Sequence, residues 1–322
     1  MSFDLSMNKN KVKGKTLAAA VMIFRYALLI SIGYIVLFPM ISALSTAIKS
    51  DEAFFDVSLY WLPKYTSFSS FKAAFNAMHY PQSVFRTLTL QVFSAGIEVI
   101  MCAIVAYGFA RFDFKFKKLF TVFLMVTIVV PVNVYIVSML VNFRNLDILG
   151  IFGLFAKLTG VDIRPNILNT NLTFYLPSLF AMGLRSGILI YIYIQFMSGL
   201  PKELEEAASI DGAGPFKTFW KIVIPSSSVV ILTVSVFSVI WHWNDSYLSM
   251  MYISSNYPLA VSLANLGDVL KLNNPFTGAA QSSMIYATKM AGCLLFILPL
   301  LIAYLCVQNK FVKSIDRVGI TG

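Results

Sequence analysis

Six apolar runs, each close to the length that a helix needs to cross a bilayer, constrain this chain more than any other feature. They cover about residues 17–41, 84–110, 119–141, 174–197, 229–253 and 290–307. A helix rises about 1.5 Å per residue, so roughly 20 apolar residues cross the hydrocarbon core. Charged residues make up 12% of the chain, against roughly 25% in soluble domains. The sequence predicts an all-α integral membrane protein with six transmembrane helices.

The amino-terminal segment before the first run is polar and basic. We interpret residues 1–16 as a cytoplasmic leader and residues 17–322 as a single transmembrane domain. The first run exceeds the roughly 7–15 apolar residues of a secretory signal, so we expect an uncleaved span. The net charge of +10 is attributed to membrane orientation and anionic headgroups, and no nucleic-acid partner is expected.

The distribution of Lys and Arg predicts which side each loop faces. With the amino terminus in the cytoplasm, the inside segments hold 15 basic residues and the outside segments hold nine. Basic loops are retained in the cytoplasm, so both termini and the loop at residues 198–225 are predicted to be cytoplasmic. The chain is thus predicted to be a multi-pass membrane protein.

The 198–225 loop reads as two short helices joined by a glycine break. Pro201 suits a first helical position, and good helix formers follow it. Gly212 and Gly214 end this helix, and Pro215 can open the next. An apolar stripe with helical spacing then predicts that the second helix lies along the membrane surface; its residues are Phe216, Phe219, Trp220 and Val223.

Residues for catalysis or metal binding are not evident in the sequence. The three cysteines all lie in apolar runs, and the two histidines are far apart. No Gly-x-x-x-x-Gly-Lys-Ser/Thr phosphate loop is present, so the chain is not expected to hydrolyse ATP by itself. We therefore predict no enzyme activity, no metal site and no cofactor in this chain.

The 198–225 loop resembles a loop found in known transporters. Residues 200–213 read LPKELEEAASIDGA, with Glu206-Ala207-Ala208 followed by Gly212 and later by Pro225. This pattern resembles the cytoplasmic loop of binding-protein-dependent ABC importer permeases. More narrowly, it resembles the carbohydrate-uptake family typified by the maltose importer, in its second, shorter permease subunit.

Further matches to this family extend along most of the chain. Residues 106–112 with the following lysines, Val130-Pro131, Trp243-Asn244-Asp245 and residues 308–312 all resemble family features. Two departures stand out. Residues 151–169 look like an insertion, and the tail at 314–322 lacks the usual Gly-and-Lys ending.

The resemblance implies an importer type I permease fold with a cytoplasmic coupling helix, in a bacterial cytoplasmic membrane. It implies a homologous second permease subunit, a cytoplasmic ATPase dimer that carries ATP and Mg, and an extracytoplasmic solute-binding protein. The implied substrate is a carbohydrate of oligosaccharide size. The alternative is an ATP-independent secondary transporter or channel for small solutes.

For the 198–225 loop, the resemblance implies contact with the ATPase. Glu206 would make the charged contact, with Glu203 on the same helix. Ala207 and Ala208 would allow close approach, while Asp211 and Gly212 would form the turn.

Four residues in the fifth run are candidates for the substrate path: Trp241, Trp243, Asn244 and Asp245. They lie near the middle of the run, away from the interfaces where Trp usually gathers. The family resemblance places a Trp-Asn site beside the translocation cavity, and such groups suit a sugar. Packing between helices explains them equally well.

Two charged residues lie deep inside apolar runs, where an unpaired charge costs at least about 2.5 kcal/mol. These are Glu98 in the second run and Arg185 in the fourth. We expect either that they pair with each other or that they line a cavity. Gly183 and Gly187 beside Arg185 permit close helix contact, expected against the sister permease.

Overall fold

The computed structural model describes residues 3–50, 65–147, 150–273 and 279–319. Within these ranges the regular secondary structure is helical, apart from one isolated β-bridge between Lys49 and Thr66. The helices are α1 (Phe3–Ala47), α2 (Ser69–Ala77), α3 (Tyr80–Thr87), α4 (Phe93–Arg111), α5 (Lys117–Val129), α6 (Val132–Arg144), α7 (Ile151–Thr159), α8 (Leu172–Leu179), α9 (Ser186–Ser198), α10 (Glu203–Ile210), α11 (Pro215–Thr218), α12 (Ile224–Ser226), α13 (Ser228–Trp243), α14 (Tyr247–Tyr252), α15 (Leu259–Asn273) and α16 (Ala279–Gly319). Residues 88–92 and 219–223 form π-helical turns.

The chain divides into two units. The first comprises residues 1–74 and 273–295, and the second comprises residues 75–272 and 296–322. The long helix α1 belongs to the first unit, and its apolar side chains from residue 19 onward are largely exposed. Such a surface suits lipid or protein neighbours rather than water.

Three helical segments among the described residues are long and apolar enough to cross a membrane: Ala19–Ala47, Tyr80–Arg111 and Ser282–Gln308. They correspond to the first, second and sixth predicted spans. Two bent helix pairs raise the number to as many as five. In one pair α5 and α6 meet at 100°, and in the other residues 215–226 meet α13 at 82°.

The third, fourth and fifth predicted spans are each interrupted. The break in the third span falls at Val130-Pro131, a pair that the sequence singles out, whereas the sequence does not predict the breaks in the fourth and fifth. Val130 is extended before Pro131, as proline requires of its predecessor, and this separates α5 from α6. Ala181 and Arg185 adopt left-handed backbone angles between α8 and α9. Asn244 ends α13, three residues before α14 begins.

The second unit is organised around α4. This helix packs against α8, α9 and α13, and small side chains permit the close contact. Cys102, Ala103 and Ala106 of α4 are buried against Leu189 and Tyr193 of α9. The buried face of α4 therefore fixes the positions of the helices that carry the candidate site residues.

Two shorter helices, α2 and α7, lie between the predicted spans. Residues 148 and 149, just before α7, are outside the described part. The connector at residues 254–286, between the fifth and sixth predicted spans, contains the helix α15. Residues 274–278 of that connector lie outside the described residues.

Candidate functional site

The 198–225 loop has the predicted form of two helices joined by a turn. Gly212 has a φ of +76°, a conformation that glycine adopts without steric cost. The Ala213 N–H donates to the Ala208 carbonyl (2.9 Å), and the Gly212 N–H donates to the Ser209 carbonyl (3.1 Å). Backbone groups therefore close the turn after α10. The Asp211 carboxylate is exposed and makes no hydrogen bond to the described part of the chain.

The two faces of α10 differ in solvent exposure. Glu203, Glu206 and Ala207 are exposed, and so is Ile210, whose side chain is 87% accessible. These positions fall on one helical face, at i, i+3, i+4 and i+7. Ala208 is on the opposite face and is buried, so it does not present itself to a partner as the resemblance implied. The exposed face leaves Glu203, Glu206 and Ala207 accessible.

An ion pair attaches α10 to the end of α4. The Arg111 Nε lies 2.6 Å from the Glu205 Oε1, and both side chains are largely buried. A second guanidinium nitrogen of Arg111 donates to the Leu200 carbonyl (2.8 Å). The Tyr107 hydroxyl donates to Glu205 Oε2 (3.3 Å). The sequence does not predict this contact, although Glu205 and Arg111 both lie within the motifs quoted above.

The apolar stripe of the second helix in this loop has a buried half and an exposed half. Phe219 and Val223 are buried against the core, and the Phe219 ring lies 5.1 Å from that of Tyr107. Phe216 and Trp220 stay exposed. The expectation that the whole stripe faces the membrane is therefore wrong for its inner half, which joins the loop to α4.

A cavity of about 580 Å³ lies where the three interrupted helices break. Its lining includes Val130 and Pro131, the segment before α9, and the segment that follows α13. Each break falls near the middle of its predicted span. We call this space the interhelical cavity. Irregular backbone at such depth is tolerated where it is buried in protein or lines a cavity, and broken helices often form substrate sites.

The four substrate-path candidates do not all reach this cavity. Trp241, Asn244 and Asp245 line it, but Trp243 does not. Trp243 is 2% exposed, and its indole N–H donates to the Phe296 carbonyl (3.3 Å). Two positions apart on a helix, Trp241 and Trp243 point in nearly opposite directions. Trp243 is thus a packing residue.

The carboxylate of Asp245 is already engaged. It accepts the backbone N–H of Leu248 (3.1 Å) and of Ser249 (3.0 Å), and the Ser249 hydroxyl (2.9 Å). Asp245 therefore holds the first turn of α14. Asn244 donates to the Ile240 carbonyl (2.8 Å), which leaves its side-chain oxygen available in the cavity.

Glu98 and Arg185 do not form the predicted pair. Glu98 is fully buried and accepts the hydroxyls of Ser186 (2.5 Å) and Ser238 (2.9 Å). His242 Nδ1 lies 3.6 Å from its Oε2. Glu98 thus joins α4 to α9 and α13. The sequence did not reveal these partners, which come from other helices.

Arg185 takes the second option left by the sequence, that of lining the cavity. Its guanidinium carbon lies 5.0 Å from the centre of the Trp241 ring, within cation–π distance. Its neighbour Ser186 bonds to Glu98, so the backbone turn at the start of α9 directs the two adjacent side chains to different partners.

Comparison with known proteins identifies the family. Residues 99–317 match the model of the binding-protein-dependent transport system inner membrane component. The chain is 24% identical over 293 residues to the trehalose transport system permease protein SugB of Mycobacterium tuberculosis, covering 90% of this chain and 94% of that protein. It is 25% identical over 287 residues to the melibiose/raffinose/stachyose import permease protein MelC of Bacillus subtilis, covering 88% and 91%.

A solved structure has the same fold. It belongs to a bacterial ABC transporter involved in the import of the acidic polysaccharide alginate, with a TM-score of 0.66 and 20% identity, over 91% of this chain and 97% of that one. The matched family region covers the 198–225 loop and the interhelical cavity. This multi-pass membrane chain therefore belongs to the family of binding-protein-dependent transport system inner membrane components, which are transport subunits and not enzymes.

Proposed function

We propose that this chain is the permease subunit of an ABC importer that carries a carbohydrate into a bacterial cell. The family match carries the proposal, because importers of this kind depend on a solute-binding protein and on a separate ATPase. The relatives named above are permeases for trehalose and for melibiose, raffinose and stachyose. The chain itself contains no phosphate loop, so ATP and Mg would bind to the ATPase dimer.

In this proposal the membrane domain has six spans. The three long helices supply the first, second and sixth, and the interrupted helices supply the others. Both termini and the 198–225 loop lie in the cytoplasm, in accord with the Lys and Arg distribution. A homologous second permease would complete the pathway.

The 198–225 loop would transmit motion of the ATPase to the spans. Glu203, Glu206 and Ala207 are exposed on α10 and available to a partner. Glu205 and Phe219, on the inner side, fasten the loop to the end of α4. A force applied to the exposed face would therefore reach α4, and through it α9 and α13.

The interhelical cavity would be part of the substrate path. Trp241 offers an aromatic face to the C–H surface of a sugar, and Asn244 offers a hydrogen-bonding oxygen. Its volume of about 580 Å³ falls in the range of small-molecule sites, about 300–1,000 Å³.

Charge reversal at the exposed face of α10 tests the coupling role. We expect Glu206→Lys to leave the protein in the membrane but to lower ATP-driven uptake at least roughly tenfold, the loss expected when a charged contact is reversed. Gly212→Asp, which puts a side chain at a φ of +76°, should act similarly. Uptake and ATP hydrolysis are measured in proteoliposomes that hold the complete transporter.

The matched control is Asp113→Lys, which reverses another exposed acidic charge in a loop predicted to be cytoplasmic. Its ion pair with the half-buried Lys117 contributes little to stability, because the Asp113 carboxylate is fully exposed. Uptake should stay near the wild-type rate in this variant. Wild-type uptake by Glu206→Lys would refute the coupling role of α10.

A further inference from the structure

The interhelical cavity contains a positive charge that the described part of the chain does not neutralise. Arg185 is exposed there, and none of its guanidinium N–H groups donates to another described residue. No carboxylate of the described residues lies within ion-pair distance of it. Its contact is with the face of Trp241, at 5.0 Å. The guanidinium therefore keeps its full hydrogen-bonding capacity for a ligand.

The carboxylates and the histidine nearby are already bonded. Asp245 lines the same cavity, but its two oxygens accept three donors from α14. The ring of His242 is directed to the Ser238 carbonyl (2.9 Å). Glu98 is fully buried between its two serine donors. Arg185 is thus the charged group that remains available in the cavity.

The backbone holds Arg185 in an unusual conformation. Its φ is +61°, in the left-handed region that residues with a side chain rarely adopt, because the β-carbon then lies too close to the following carbonyl oxygen. The turn is fixed on one side by the bond from Ser186 to Glu98. On the other side Gly183 packs against Glu98 and Ser178, without room for a β-carbon. Arg185 is therefore held at the cavity by its packed neighbours.

We propose that Arg185 and Trp241 form a subsite for an anionic group on a saccharide, so that this permease passes acidic sugars in preference to neutral ones. A guanidinium binds a carboxylate or a phosphoryl group through two parallel hydrogen bonds, which the opposite charges strengthen. Trp241 lies beside it to receive the sugar ring. This inference rests on the proposed function, because it takes the cavity as part of the substrate path.

Uptake by the complete transporter in proteoliposomes tests the preference. The probes are digalacturonate for a carboxylate, trehalose 6-phosphate for a phosphoryl group, and trehalose and maltose as neutral sugars. We expect the wild type to take up at least one acidic probe faster than the neutral sugars. The acidic probe that is preferred identifies the source of the anionic group.

Removal of the charge should then erase the preference. We expect Arg185→Gln to lower uptake of the preferred acidic probe roughly tenfold or more, and to lower uptake of the neutral sugars by a much smaller factor. Arg185→Lys should retain part of the preference for acidic sugars, because it keeps the positive charge. Arg144→Gln, which removes an exposed arginine outside the cavity, should leave the preference intact. Equal losses for acidic and neutral sugars would show a structural role for Arg185 and overturn the inference.

Binding to the purified chain separates this inference from the proposed function. We expect digalacturonate or trehalose 6-phosphate, but not trehalose, to change the tryptophan fluorescence of the chain in detergent. The change should vanish in Arg185→Gln and in Trp241→Phe. If wild type takes up neutral sugars only and shows no such change, the inference fails while the proposed function stands. If no saccharide is taken up at all, the proposed function fails, and the fluorescence change alone then decides the subsite.

Discussion

At Gly183 a missing side chain makes room for a buried carboxylate. A β-carbon there would stand 2.6 Å from Glu98 Oε1 and 2.9 Å from Ser178 Oγ. Glu98 cannot swing away freely, because Ser186 and Ser238 both donate to it. Gly183 therefore packs within this chain, and so does Gly187, beside Thr127 and Ile128. The expected contact with a sister permease does not account for either glycine.

Adding a methyl group at Gly183 should destabilise the protein. We expect Gly183→Ala to lower the free energy of unfolding by about 1–3 kcal/mol, the usual cost of overpacking. Thermal unfolding of the purified chain in detergent measures the change. Gly108→Ala is the matched control, because nothing lies within 4 Å of its β-carbon. Equal stability of both variants would refute the packing role.

For single residues, the sequence indicates which charged side chains need an interaction partner inside the membrane, but it does not identify that partner. Glu98 and Arg185 stand out because a charge inside an apolar run is costly. Their actual partners depend on how each helix is rotated about its axis. Glu98 meets serines of α9 and α13, and such serines are too common in apolar helices to be singled out from the sequence.

Between elements, the ion pair of Arg111 and Glu205 links α10 to α4. We expect Glu205→Ala and Arg111→Ala each to lower the free energy of unfolding by about 1–3 kcal/mol, because each leaves a largely buried charge without its partner. The double variant should cost less than the sum of the two, by about 1 kcal/mol.

Thermal unfolding in detergent measures this cycle as well. Asp113→Ala serves as the control, since it breaks an exposed pair with Lys117 and should cost less than about 0.5 kcal/mol. Strict additivity of the Arg111 and Glu205 variants would show that the two side chains do not stabilise each other.

The sequence predicts the existence of most helices better than their continuity. The glycine break at Gly212 follows from local residue preferences, and the structure has it. Pro131 likewise marks the break between α5 and α6. The interruptions at Ala181 to Arg185 and at Asn244 carry no comparable signal, because hydropathy is averaged over a run and does not register a change of backbone angle.

For the whole molecule, the predicted orientation can be tested with single cysteines. On a background in which Cys102, Cys293 and Cys306 are replaced by alanine, Lys157→Cys and Lys118→Cys place a thiol at exposed positions. The first lies in a predicted outer loop and the second in a predicted cytoplasmic one. We expect a membrane-impermeant thiol reagent to label only Lys157→Cys in intact cells, and both after lysis.

The parent protein without cysteine controls for background labelling. Labelling of Lys118→Cys alone in intact cells would mean that the orientation is inverted. Equal labelling of both positions in intact cells would contradict the third predicted span, which alone separates residues 118 and 157.

The family was accessible from the sequence because its signature is local, within residues 200–213. The interhelical cavity was not, since its lining comes from four separate stretches of the chain. Three of the four substrate-path candidates line it, and the fourth, Trp243, faces Phe296. Which of two neighbouring tryptophans faces inward depends on helix rotation, which the sequence pattern leaves open.

Three helix breaks meet at the interhelical cavity, and the backbone groups at these breaks need hydrogen-bond partners. Each break leaves backbone carbonyls and amides outside the regular helical pattern, and in hydrocarbon every unsatisfied group would cost several kcal/mol. Water molecules would satisfy them and would hydrate Arg185 as well. If this space is the substrate path proposed above, a sugar that enters it would exchange hydrogen bonds with water for hydrogen bonds with the protein. The interrupted helices would thereby lower the free-energy barrier to moving a polar sugar across the membrane.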